Sequence, residues 1–94
     1  MTLSFTARIS VPEQVLVRSF EHESVILNLQ SECYHGLDIV GTRIWNILIQ
    51  SKSIQEAYES LLSEYDADPA ILRQDLIVFI EELTKRGLLE LVDS

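Results

Sequence analysis

The sequence predicts an α+β fold in which a three-stranded antiparallel sheet packs on a three-helix bundle. Three observations point there. Alternating, β-branched segments are confined to the residues before Gly36, apolar residues at helical spacing are confined to those after Asp38, and helix-start signals at Asp38, Ser53 and Asp68 divide the second half. A length of 94 residues with 47% apolar side chains sets the expectation of one folded domain over residues 1–94. A domain this small has little room for an enclosed catalytic cavity.

Residues 5–9 alternate, but Pro12 removes a ladder donor just beyond them, so they read as an added edge strand or an ordered arm. Residues 14–20 and 24–29 are two strands, with Val25, Leu27 and Leu29 at period two. A third, residues 32–37, follows after only Gln30 and Ser31, with Cys33, His35 and Leu37 on one face and Tyr34 on the other. Helix one begins at Asp38, a capping residue, and runs to about Gln50. Its apolar residues Ile39, Val40, Ile44, Trp45, Ile47, Leu48 and Ile49 cover most of its circumference, which predicts a central buried helix with Trp45 as an anchor. Helix two opens with the capping box Ser53 and Glu56, then carries Ile54, Ala57, Tyr58, Leu61, Leu62 and Tyr65 at helical spacing. Helix three starts at Asp68 and Pro69 and stops at Lys85, Arg86 and Gly87. Its core stripe is Leu72, Leu76, Phe79, Ile80 and Leu83. Beside it Ile71, Asp75, Val78 and Glu82 form a second stripe, which is either a loosely apolar solvated face or one wall of a peptide groove. Leu88 to Val92 is a short closing strand or an extended tail.

Charge narrows the function. Fifteen acidic against seven basic residues give a net charge of −8, which repels nucleic acid and anionic lipid. The first residues lack the apolar run of a signal peptide, and no stretch of about 18 apolar residues suggests a membrane span, so the expectation is a cytoplasmic protein without membrane or nucleic-acid partners. A single cysteine excludes an internal disulfide.

Catalytic and metal chemistry find weak support. Cys33 and His35 share a strand face with Glu32 nearby and His22 elsewhere, yet no metal-ligand spacing joins them, and a mid-strand thiol in an acidic protein lacks the cation that would activate it. No glycine-rich phosphate loop is present and no cofactor motif appears, so neither metal nor cofactor is expected. The helix order also matches a winged helix-turn-helix, whose third helix would enter the major groove. Against a DNA-binding regulator stands the balance on that helix of Arg73, Lys85 and Arg86 with Asp75, Glu81 and Glu82.

Val25-Ile26-Leu27-Asn28-Leu29, the run from Tyr34 to Trp45, Tyr65-Asp66, Asp75-Leu76, Phe79-Ile80, Leu83 and Gly87-Leu88-Leu89 together resemble the PqqD-like family, over about residues 14–91. The most similar kind is the stand-alone precursor-peptide recognition domain of lasso-peptide clusters. The resemblance implies a non-catalytic adaptor: the leader segment of a ribosomally made precursor adds as a strand antiparallel to the third strand, in a cleft against helix three, and is delivered to a separate leader peptidase or other modifying enzyme. Carried to this sequence, the peptide-binding residues are Glu32, Cys33, Tyr34, His35 and Gly36 on the strand and Ile71, Asp75, Val78, Phe79 and Glu82 on the helix. Tyr34 is either a leader contact or an outward strand aromatic. His35 and Cys33 depart from the family, where a tyrosine and a polar residue or arginine are frequent. A pyrroloquinoline-quinone-type chaperone for a radical enzyme is the alternative within the family, and the expected state is a monomer or a weak, domain-swapped dimer.

Overall fold

The elements run β1 (Arg8–Ser10), β2 (Val15–Phe20), β3 (Glu23–Asn28), β4 (Cys33–Leu37), α1 (Ile39–Gln50), α2 (Ile54–Glu64), α3 (Pro69–Lys85) and β5 (Glu90–Val92), in a computed structural model that describes residues 3–92. The predicted meander is present as an antiparallel sheet of order β2-β3-β4. A two-residue turn, Glu21 and His22, joins β2 to β3 with Glu21 at φ 56°. The β3–β4 connection is longer than the sequence suggested: Glu32 is no strand residue but closes the turn at φ 60°, so β4 starts at Cys33.

Asn28 explains that turn. Its Oδ1 accepts from Gln30 N at 2.9 Å and Ser31 N at 3.1 Å, an arrangement in which an asparagine side chain replaces backbone turn bonds. Its Nδ2 donates to Gly87 O at 3.0 Å, just past α3.

Register assigns the faces. Ser24, Ile26 and Asn28 stand opposite Leu37, His35 and Cys33, and all three β3 residues of this inner face are buried against the helices. The outer face carries Leu16, Leu27 and Tyr34 in one row and Arg18, Val25 and Gly36 in the next.

Asp38 caps α1 by accepting from Gly41 N at 2.7 Å. The helix is less enclosed than its composition implied, because Trp45, Ile47 and Leu48 are buried while Ile39, Val40 and Ile49 are exposed. β1, β3, β4 and α2 pack against α1, and Ile39, Val40 and Ile49 lie outside that cover. Ser24 Oγ lies 2.8 Å from Thr42 Oγ1, a buried hydroxyl pair fixing β3 to α1. In α2, Ser53 Oγ accepts from Glu56 N at 3.1 Å, but the Glu56 carboxylate reaches Lys52 N at 3.3 Å rather than the cap residue itself. Asp68 and Pro69 open α3 as predicted, and Gly87 at φ 73° closes it. Leu88 N donates to Leu83 O and Gly87 N to Thr84 O, the paired bonds of a left-handed helix stop.

Both ambiguous ends become strands, and they pair with each other. β1 and β5 run antiparallel with Ile9 opposite Leu91. Ahead of β1, Phe5 O and Ala7 O accept from Gln55 N and Ile54 N at 2.8 Å each, so the arm also saturates the first turn of α2. Phe5 meets the Tyr58 ring edge-on at 5.9 Å, with the Arg73 guanidinium 4.0 Å above its centre. Among the described residues, no helix is long and apolar enough to cross a membrane.

Candidate functional site

The edge position of β4 follows from the meander: it pairs with β3 on one side and, among the described residues, its other edge has no strand. Along it Cys33, Tyr34 and Gly36 are exposed, His35 is half-buried and Leu37 is buried. Tyr34, at 72% exposed, points outward beside Leu27, and His35 points inward opposite the wholly buried Ile26. Glu32, the remaining strand-side candidate, sits exposed in the turn.

The helix candidates divide by burial. Ile71 and Val78 are 60% and 49% exposed, whereas Leu72, Leu76, Ile80 and Leu83 of the neighbouring stripe are buried. Asp75 and Glu82 are exposed on the stripe of Ile71 and Val78, and Phe79, half-buried, packs its ring against the core at the boundary. An open groove of about 560 Å³ joins Val78 and Glu82 to Glu81, Lys85 and Arg86. It is lined by α3 and its cap residue, without β4.

Strand and helix meet through Asn28, which pairs with Cys33 in the sheet and bonds to Gly87 beyond α3. That link ties the start of β4 to the end of α3, and the sequence reading passed over it. An asparagine at the end of an alternating run, two residues ahead of Gln30-Ser31, is the signal that was available.

Electrostatics separate the two acids of the stripe. Glu82 is engaged by Arg86 at 3.1 Å, one helical turn on, while Asp75 has no salt bridge among the described residues. Arg73 is turned away onto Phe5. Away from this stripe, Arg43 and Glu64 form a bidentate pair between α1 and α2, with contacts from 2.6 to 3.1 Å. There the hydrogen bond from Arg43 pulls the Glu64 carboxyl below its ordinary range and the Arg43 guanidinium is raised in turn.

Cys33 is an exposed free thiol, and among the described residues no three His, Cys, Asp or Glu side chains converge as a metal site. The chemistry offered at β4 is backbone hydrogen bonding along an edge, with apolar and acidic side chains nearby.

A second surface emerges with it. On the outer face Leu16 is 43% and Tyr34 72% exposed, with the half-buried Leu27 between them. Glu21, Glu23 and Glu32 lie at the ends of these strands.

Comparison with known proteins agrees with this geometry. The chain is similar to TbiB1, solved in complex with the TbiA(beta) leader peptide, at 35% identity and a TM-score of 0.79 over 85% of this chain and 93% of that one. The fold is shared with lasso peptide synthetase B1, solved complexed with the leader peptide, at 20% identity and a TM-score of 0.79 over 89% and 99% of the two chains. No curated protein sequence matches. The family model described as coenzyme PQQ synthesis protein D matches residues 23–89, from the first residue of β3 to the residue before β5, and the chain therefore belongs to the PqqD family.

Proposed function

We propose that this chain is a single, non-catalytic recognition domain that binds the leader segment of a ribosomally made precursor peptide. The leader adds as a strand along the free edge of β4 and lies against the Ile71, Asp75, Val78, Phe79 and Glu82 side of α3. The observation that carries this reading is the open, exposed edge of β4 in a fold whose 35%-identical relative was solved holding a leader peptide. Backbone pairing along Cys33 to Gly36 supplies affinity with little dependence on sequence, and side chains on alternate faces supply selectivity. Glu32, in the turn, contacts the end of the added strand.

Delivery needs a second surface. The apolar row of Leu16, Leu27 and Tyr34 on the outer face, with Arg18 in the adjoining row and acidic residues at the strand ends, suits a separate processing enzyme presenting an apolar patch. That enzyme is a leader peptidase of the lasso-peptide type. The family model favours one second reading, a pyrroloquinoline-quinone-type chaperone, in which the same groove serves a radical enzyme.

Calorimetric titration of the cognate precursor's leader tests the reading. Asp75→Ala leaves the fold intact and weakens binding by roughly tenfold, the loss expected when one charged hydrogen-bond partner worth ~1.4 kcal/mol is removed. Tyr34→Pro, which deprives an edge strand of a donor, abolishes measurable binding while circular dichroism retains the helical signal. Unchanged affinity in both variants would place the groove elsewhere.

A further inference from the structure

Gly36 has no conformational reason to be glycine. It does not occupy the left-handed region, where Gly87 is the glycine found, and a Cβ built on it meets nothing within 4 Å. Glycine inside a strand weakens it, so the missing side chain calls for another explanation. Gly36 stands on the outer face in register with Val25 and lines a groove of about 350 Å³. Phe20, 61% exposed, and Val25 form its apolar lining, and the carboxylate residues Glu23 and Asp38 also line it. Asp38 is held there by its bond from Gly41 N at 2.7 Å.

We propose that Gly36 is a slot for one long cationic side chain, a lysine or arginine, on the leader strand added to β4. The slot rests on the leader-binding reading above. In an antiparallel pair the residue opposite Gly36 projects its side chain to the same outer face. With no Cβ in the way, that side chain lies across Gly36 onto Val25, as cross-strand side chains cover edge glycines elsewhere. An aliphatic stem packs there, and its cationic end reaches the Glu23 and Asp38 carboxylates and the Phe20 ring. A purely apolar side chain would fill the same volume but set two carboxylates against hydrocarbon, an arrangement that costs solvation without return. The net charge of −8 adds a field of the same sign.

The test uses synthetic peptides of the TbiA(beta) leader in which each position is replaced in turn by lysine, alanine and phenylalanine. Each is titrated by fluorescence anisotropy against the unaltered chain, Gly36→Ala, Gly36→Val and Glu23→Gln. The slot predicts one position at which lysine binds about three- to tenfold more tightly than alanine. Gly36→Val erases that preference and Glu23→Gln reduces it, each read as the ratio of lysine-peptide to alanine-peptide affinity for the same variant. The thermal midpoints of Gly36→Ala and Gly36→Val stay at or above that of the unaltered chain, which separates a filled slot from a damaged fold. Binding without a Gly36-dependent lysine preference overturns the slot alone, and a preference for phenylalanine overturns its cationic occupant. If the unaltered chain binds none of the peptides, the leader-binding reading falls and the slot falls with it.

Discussion

At the scale of the residue, Asn28 carries more of the site than any side chain the sequence reading selected. It is 5% exposed, makes three hydrogen bonds through both amide atoms, and joins the β3–β4 turn to the end of α3. Asn28→Ala leaves Gln30 N, Ser31 N and Gly87 O without that partner and is expected to cost about 2–3 kcal/mol. Asn28→Asp keeps the two turn bonds, sets a carboxylate against the Gly87 carbonyl, and should still lose the helix link. Urea unfolding checks both, with Asn28→Asp lying between Asn28→Ala and the unaltered chain. The sequence made Asn28 hard to see because Val25, Leu27 and Leu29 alternate more conspicuously than Ser24, Ile26 and Asn28. Alternation identifies a strand, but which face is covered depends on helices whose positions no local pattern encodes. Glu21 is a simpler case, since its φ of 56° is one an L side chain adopts at a cost. Glu21→Gly should therefore stabilise the hairpin by roughly 0.5–1 kcal/mol, read as a raised urea midpoint with an unchanged slope.

At the scale of the element, the legible parts were those with local causes. The β2–β3–β4 meander follows from short connections, and the three helices follow from Asp38, Ser53 and Asp68, whose side chains accept first-turn amides as their identities imply. The exposed stripe of α3 was visible in the spacing of Ile71, Asp75, Val78 and Glu82, but the Arg86 partner that occupies Glu82 was not. The β1–β5 pair had no local cause to reveal it, since it joins the two ends of the described chain. What makes the arm more than an appendage is its dual use: Ile9 contributes to the core while Phe5 O and Ala7 O serve the free amides of α2. Phe5→Ala removes a ring that is 8% exposed and sandwiched between Tyr58 and Arg73. It should cost about 3 kcal/mol or more by urea unfolding, with hydrogen exchange accelerated first at Ile54 and Gln55. Protection at those two amides unchanged by Phe5→Ala would show that α2 holds its own first turn.

At the scale of the whole molecule, a net charge of −8 acts at a distance while the bidentate Arg43–Glu64 ion pair acts locally, and pH separates the two. Glu64 has its carboxyl pulled below the ordinary 4.5 by the hydrogen bond from Arg43, and both side chains are in contact with solvent. A depressed carboxyl contributes stability that is complete above its unfolded value and is lost as pH falls through the lower folded value. The difference in thermal midpoint between the unaltered chain and Arg43→Met should therefore be constant from neutrality down to about pH 5 and shrink below 4.5. Because the pair is exposed, the difference is small and salt diminishes it. The long-range field behaves differently. Protonating carboxylates removes the attraction for a cationic peptide across the whole surface, whether or not Arg43 and Glu64 are paired. Stopped-flow mixing with a lysine-bearing leader should show an association rate that falls by about tenfold between roughly 20 and 300 mM salt, with the dissociation rate nearly constant. Arg43→Met should leave that salt dependence unchanged, because it alters one local contact in a field set by fifteen acidic residues. An association rate insensitive to salt would mean that the charge of the molecule does not draw the peptide in.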